Sequence, residues 1–403
     1  MDIDVRLIAP HEFEELLVLD GRAFGVTYGD DELEDLRQLL ELDRQLVAVD
    51  GPELVGAAGA WTFDLTLPGG GTLPAAGVTW VSVSGTHRRR GILRQLMARQ
   101  LDDVAERGDP LAALTASESA IYGRFGYGLA TFRTKLVVEA RRVAFRTDLG
   151  ADGLVRYADP STARKVLPVL YERLRARQPG TVTRNDKWWD FLFLDHASRR
   201  GAATALFHAV HPDGYVSYRV EEGRAGGFLA NRVLVRELVA LTPEAYASLW
   251  RFLLGLDLAD DVEWTRASRD EPLRWMVDDP RRVRTEFVDD DVWLRLIDVE
   301  RAFGARRYGT DDRLVVDVVD DFRPDTSGRY EIAGSRDGAE CRRTTKEPDL
   351  ALTVADLGSL YLGGVAASSL AQARRIEERT PGAVRRADAF FASDPPPHNQ
   401  TGF

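Results

Sequence analysis

Residues 81–103, VSVSGTHRRRGILRQLMARQLDD, constrain the fold more than any other stretch of the chain. Val81 to Val83 read as the end of a strand, which runs into a turn carrying Arg88, Arg89, Arg90 and Gly91. Beyond Gly91, the residues Leu93, Leu96, Met97, Leu101 and Val104 recur mostly at steps of three or four, which predicts one apolar helical face ending near Gly108. A strand that turns directly into a helix aims the helix's unpaired N–H groups and its dipole at one spot. Glycine lets a ligand approach the backbone closely, and arginines add charge-assisted contacts, so this spot suits a phosphate. An Arg-Arg-Arg run alone serves as well as a solvated face; the strand before it and the amphipathic helix after it favour the phosphate.

The rest of the first 150 residues alternates α and β. Phe13, Leu16 and Leu17, then Leu33, Leu36, Leu39 and Leu40, fall at helical spacing. Apolar runs at Leu46 to Val49, Leu54 to Phe63, Val78 to Val83 and Leu111 to Thr115 read as strands, with turns at Asp50-Gly51-Pro52 and Pro68 to Gly71. Residues 151–288 repeat the pattern weakly. A helix around Leu167 to Leu174 and a strand at Gly214 to Val220 lead to a strand at Val233 to Leu241 followed by a helix from Pro243 to Leu256. At that second strand-to-helix junction, Leu241-Thr242-Pro243-Glu244 lacks the parts that hold a phosphate, so a duplicate unit here is expected to be non-catalytic. From 289 onward, short strands at Val292 to Leu296, Leu314 to Asp320, Tyr330 to Ile332 and Leu350 to Val354 alternate with helices. The expected organisation is therefore three domains, 1–150, 151–288 and 289–403, of α/β and α+β class. The polar, proline-rich stretch Ser393 to Phe403 reads as a frayed end, although Phe403 is out of place in a solvated tail.

Composition removes several functions. One cysteine, Cys341, and six scattered histidines offer no zinc spacing, so no metal is expected. The first residues lack the basic and apolar regions of a secretory leader, and no run reaches the ~18 apolar residues of a membrane span. A cytoplasmic protein with no membrane partner is expected. A net charge of −11 argues against a nucleic-acid surface and favours cationic small molecules, although acid runs such as Asp289-Asp290-Asp291 also simply keep a chain soluble.

With these residues in view, the chain resembles the GCN5-related N-acetyltransferases, whose loop reads Arg or Gln, two residues, Gly, one residue, then Gly or Ala. Arg88 and Gly91 match, and Leu93 replaces the last position. A second element, Ala116 to Tyr127, fits the family's pattern of Tyr, three residues, Gly, aromatic, with Tyr122 at the family's acid position and Tyr127 better read as a core aromatic. Such chemistry asks for an amine nucleophile, an oxyanion donor and an acid for the departing thiolate. The resemblance implies that Arg88, Arg89, Arg90, Gly91, Ile92, Leu93 and Arg94 bind the pyrophosphate of acetyl-CoA. It implies that the backbone of Val81, Ser82 and Val83 holds the pantetheine arm, with Ser117 and Glu118 beside the cofactor, and that Tyr122 is the acid. A packed aromatic with a satisfied hydroxyl is the alternative reading of Tyr122.

A narrower resemblance spans nearly the whole chain. The run Thr86 to Leu93, the Ser117-Glu118 then Ile121-Tyr122 spacing, the three-domain plan and a terminal phenylalanine look like the actinobacterial Eis acetyltransferases. That implies tandem GCN5-related acetyltransferase folds, the second degenerate, followed by a sterol-carrier-like α+β domain, in a homo-oligomeric hexamer. It implies acetylation of aminoglycosides at several amines, with the α-carboxylate of Phe403 as general base and no acyl-enzyme on Cys341. Polyamines or lysine side chains are alternative substrates of the same chemistry, and a lipid-binding or sensor protein is the non-catalytic alternative. Phe403 as a plug for an apolar groove, with water or Glu118 taking the proton, also fits the sequence. Phe24 and Trp80 are candidates for packing a cationic amine substrate, with Asp30 as a nearby acid; each also fits a core or surface role, and Trp188-Trp189 is equally ambiguous.

Overall fold

The computed structural model describes residues 3–146, 149 and 153–403, with the side chains of Asp30, Asp31 and Ala225 outside the description. Asp30 as a substrate-binding acid, and the expected boundary at 150, therefore lie outside the described residues. Among the described residues no helix is long and apolar enough to cross a membrane.

The first seven-stranded sheet has the order β1 (Asp4–Leu7), β2 (Leu46–Asp50), β3 (Glu53–Thr66), β4 (Thr72–Val83), β5 (Leu111–Thr115), then Val292–Leu296 and Gly128–Leu129. Helices α1 (Phe13–Phe24) and α2 (Asp30–Leu39) cover one face, and α3 (Ile92–Glu106) covers the other. Burial on both faces explains why β3 reads as a nearly continuous run of apolar and small residues rather than an alternating one. Gly56 lets α3 approach, since a Cβ there would come within 2.9 Å of Ile92 Cγ2.

The second seven-stranded sheet repeats this plan. A meander of Phe207–His211, Gly214–Glu221 and Asn231–Ala240 precedes a parallel strand, Ala259–Ala267, reached through a helix. Its helices, α4 (Pro160–Arg175), α5 (Asp186–Leu194) and α6 (Pro243–Leu254), are capped by Asp159, Asn185 and Thr242, whose side chains accept from the backbone N–H of the third residue of each helix. At the second strand-to-helix junction, Thr242 Oγ1 takes the Ala245 N–H at 3.1 Å, so the helix start is closed by the chain itself. A five-stranded sheet, Ala339–Arg343, Gly328–Gly334, Asp312–Val319, Leu350–Thr353 and Ile376–Glu378, forms the last unit.

The expected cuts do not follow the sheets. Phe132–Glu139, expected in the first unit, is a strand of the second sheet, and Val292–Leu296, expected to open the last unit, lies inside the first sheet between β5 and Gly128–Leu129. Val292, Leu294 and Leu296 all point into the first core with no exposure, so this strand is committed to the first sheet by the core it fills. Asp291 alone separates the two sheets here, and its buried carboxylate is paired with Arg266 at 3.1 Å. The last unit also shares a core with the first, because Leu294, Phe303, Tyr361 and Phe391 belong to one contiguous cluster. Within it, fully buried Arg306 donates to the carbonyls of Tyr361 and Phe391.

The tail differs from its expected frayed state. Asn399 and Thr401 are 1 % and 2 % exposed, and the chain from Pro396 is bound along the second unit by Gln178, Thr181 and Leu238.

Candidate active site

At the junction of β4 and α3, Gly91 caps the helix with φ +81°, and a Cβ there would meet nothing within 4 Å. No side chain caps α3, in contrast to α6, so its first N–H groups face outward. Arg89 also sits at positive φ, +63°, which turns the loop outward. Arg88, Arg89 and Arg90 are exposed. The loop is pinned from behind: His87 Nε2 lies 3.4 Å from Asp50, its Nδ1 pairs with Thr86 Oγ1 at 2.7 Å, and Arg90 reaches both Asp50 and the Thr86 carbonyl. The side chain of Ile92 is buried in the core, leaving only its backbone to face a ligand. Arg94 is drawn elsewhere, its guanidinium 5.0 Å over the ring of Phe322. The open glycine, the uncapped helix and the exposed arginines together fit a pyrophosphate.

Beside this loop the sheet opens. β4 and β5 pair in parallel only from Ala75↔Leu111 to Gly77↔Ala113, yet β4 runs on to Val83. The β5-facing edge of Val78 to Val83 is therefore free to take an extended, amide-bearing chain by strand-type hydrogen bonds. Trp80 marks a register shift against β3 and sits at φ +54°, a rare backbone state for a bulky residue. Ser82 Oγ on the same strand is buried without a partner. These features fit the pantetheine arm that the resemblance implies.

A cavity of about 340 Å³ lies at the mouth of this opening. Phe24, Trp80, Val81, Ser117 and Tyr122 line it together with Phe403, so one site gathers residues from both ends of the chain. Phe403 packs edge-on against Phe63, ring centroids 5.1 Å apart, and its main-chain oxygen accepts from the Thr115 hydroxyl at 2.5 Å. Tyr122 opens a short 3-10 turn and is nearly buried; desolvation, with the Glu118 charge adding, pushes its phenol up to about 12. Glu118 itself is exposed and is not part of the cavity wall. Tyr127 is fully buried, as a core aromatic should be.

Two wall residues, Tyr28 and Asp20, carry no signal of their own in the sequence. Tyr28 stacks on Trp80 at 6.0 Å and donates to Asp20 at 2.5 Å. Burial pushes the Asp20 carboxyl up, against the pull of that hydrogen bond. Trp188, from α5 in the second unit, meets Trp61 and Phe63 edge-on, both at 5.4 Å. Trp189, its neighbour, turns the other way into the second core against Tyr171. The tryptophan pair thus divides between a site wall and a core, since neighbours on a helix point about 100° apart.

Comparison with known proteins places these features in a family. An acetyltransferase (GNAT) domain model matches residues 4–130, a second matches 180–296, and a sterol carrier protein domain model matches 299–400. The chain is 37% identical over 405 residues to the N-acetyltransferase Eis of Mycobacterium tuberculosis, covering 97% of this chain and 98% of that one. It is 40% identical to an uncharacterized N-acetyltransferase of Streptomyces avermitilis, with both chains covered in full. Among solved structures, Eis1 from Mycobacterium abscessus superposes with a TM-score of 0.89 at 37% identity over the whole of both chains.

Proposed function

The chain belongs to the Eis family of GCN5-related N-acetyltransferases, and from that premise we propose that it acetylates primary amines of aminoglycosides, at more than one position, by direct attack within a ternary complex with acetyl-CoA. The observation that carries this reading is the meeting of Tyr122 and Phe403 on the wall of one cavity beside the open edge of β4. Aromatic walls with Asp20 as an acidic side chain support a cationic, ring-bearing amine. A closed homo-oligomer, a hexamer, and a cytoplasmic location belong to the same proposal.

Acetyl-CoA, when bound, supplies the activated acetyl thioester. Arg88, Arg89 and the N–H groups at the start of α3 hold its pyrophosphate, and the free edge of Val81 to Val83 aligns its amide-bearing arm. The α-carboxylate of Phe403 takes the proton from the attacking amine. The Thr115 hydroxyl, donating to one Phe403 oxygen, fixes the direction of that carboxylate. The Tyr122 hydroxyl gives a proton to the departing sulfur. The aromatic lining keeps water from competing with the amine.

Initial rates test the order of events. Lines that intersect when acetyl-CoA and an aminoglycoside are varied together are expected for direct transfer; parallel lines mean a covalent acyl-enzyme and sink this mechanism. A panel of polyamines and lysine peptides run alongside identifies the preferred amine, and turnover confined to peptides moves the substrate away from aminoglycosides.

The anion cradle has its own test. Each charge-assisted hydrogen bond is worth ~1.5–3 kcal/mol, so Arg88→Ala is expected to raise the KM for acetyl-CoA roughly 10- to 100-fold with little change in the KM of the amine. An unchanged acetyl-CoA KM removes Arg88 from the site.

A further inference from the structure

Both seven-stranded sheets are built around a parallel strand pair joined by a helix, and both pairs splay. In the first, pairing stops at Gly77↔Ala113. In the second, Asn231–Ala240 and Ala259–Ala267 pair only as far as Val235↔Trp264, which leaves Arg236 to Ala240 unpaired on that side. The second opening is filled from within the chain. The Leu238 N–H donates to Gln400 Oε1 at 3.1 Å, and Gln400 Nε2 donates to the Leu238 carbonyl at 2.8 Å. These are the two bonds a neighbouring strand or an amide-bearing ligand would make there. Gln400 thus occupies, in the second unit, the place that the first unit leaves open between β4 and β5.

The next residue is fixed just as fully. Arg184 is buried against Glu237, with contacts of 2.6 and 3.2 Å, and its Nε donates to Thr401 Oγ1 at 3.0 Å. The Tyr171 hydroxyl donates to the Val182 carbonyl at 2.7 Å, so at 3.0 Å from Thr401 its oxygen is the acceptor for the Thr401 hydroxyl. The hydroxyl of Thr401 therefore both accepts and donates, an arrangement valine cannot replace. The Arg184 guanidinium also lies over the Tyr171 ring, 3.9 Å from its centroid, which adds to the contacts that hold it. Gly402 follows beside Arg266, where a Cβ would come within 2.5 Å of a guanidinium nitrogen, and Phe403 then enters the cavity.

We propose that the second acetyltransferase-like unit, whose helix start is closed to phosphate, serves the reaction as a clamp: its splayed strands take Gln400, and Arg184 takes Thr401, so that Phe403 is aimed into the first unit's cavity. The clamp rests on the reading of Phe403 as the base, and Gln400, Thr401 and Arg184 are positioning residues. A displacement of about 1 Å at a catalytic group can cost ~10²-fold in rate. In the full-length protein, Thr401→Val is expected to lower kcat 10- to 100-fold with the KM for acetyl-CoA unchanged, and Thr401→Ser, which keeps the hydroxyl, to restore most of it. Gln400→Ala, at a less buried position, is expected to show the same loss in kcat and covers the case in which Thr401→Val does not fold. A purely structural role predicts a lower melting temperature and normal kcat in the protein that remains folded. Folded Thr401→Val and Gln400→Ala proteins with wild-type kcat, alongside a Phe403 deletion that is inactive, overturn the clamp alone. A Phe403 deletion with full activity overturns the base beneath it.

Discussion

Extending the chain by one residue beyond Phe403 is expected to lower kcat about 10³-fold while acetyl-CoA still binds, which is the scale on which a positioned general base contributes. The added residue turns the α-carboxylate of Phe403 into an amide, which is neutral and cannot accept the proton. It also carries the new carboxylate ~3.5 Å further along the chain. The cavity gives that carboxylate no equivalent place, because Phe403 is held by Thr115 on one side and by the Phe63 ring on the other. Single-turnover kinetics on the extended and unextended proteins, with acetyl-CoA binding measured separately, separate lost chemistry from lost cofactor. Equal turnover by the two proteins means that water or another group is the base.

Tyr122→Phe is expected to cost about 10²- to 10³-fold in kcat, again within the usual contribution of a positioned acid. The side chain stays the same size, so the edge-on contact with Tyr127, ring centroids 5.9 Å apart, and the fold are preserved. Only the proton donor is lost. Burial, with Glu118 adding, raises the phenol to about 12, so the acid form is present at every pH below that and is lost only as the pH rises through it. The wild-type rate should therefore show no high-pH decline from Tyr122 across the neutral to moderately alkaline range. A decline near the ordinary tyrosine value of ~10 that disappears in Tyr122→Phe contradicts the buried-phenol reading. A Tyr122→Phe protein with normal kcat assigns the tyrosine to the core.

The parts of the site that were legible in the sequence are the local ones. Arg88 to Gly91 lie between a strand and an amphipathic helix, and that order alone predicts an uncapped helix start with an open glycine, as found. Tyr122 and its glycine four residues on are likewise a local pattern. What the sequence could not show depends on pairs of distant residues. Trp188 reaches Trp61 across more than a hundred positions, and nothing in its own neighbourhood marks it as facing a cavity rather than a core. The exchange of strands between the two large sheets is hidden for the same reason. Phe132–Glu139 carries the buried apolar run Leu136 to Val138, and Val292–Leu296 turns Val292, Leu294 and Leu296 inward; such patterns fix which side chains are buried but not which sheet receives them. The tail misled in the opposite direction. Its prolines and polar residues predict fraying, yet Gln400 and Thr401 are polar because the partners that order them, the Leu238 backbone and Arg184, are polar as well.

The most direct test of the account is thiol release from acetyl-CoA by the untagged protein with an aminoglycoside present, followed by mass spectrometry of the product. The account predicts thiol released in step with product, and an aminoglycoside carrying one or more acetyl groups. Bound acetyl-CoA with no thiol release in the presence of any aminoglycoside, polyamine or lysine peptide would contradict it.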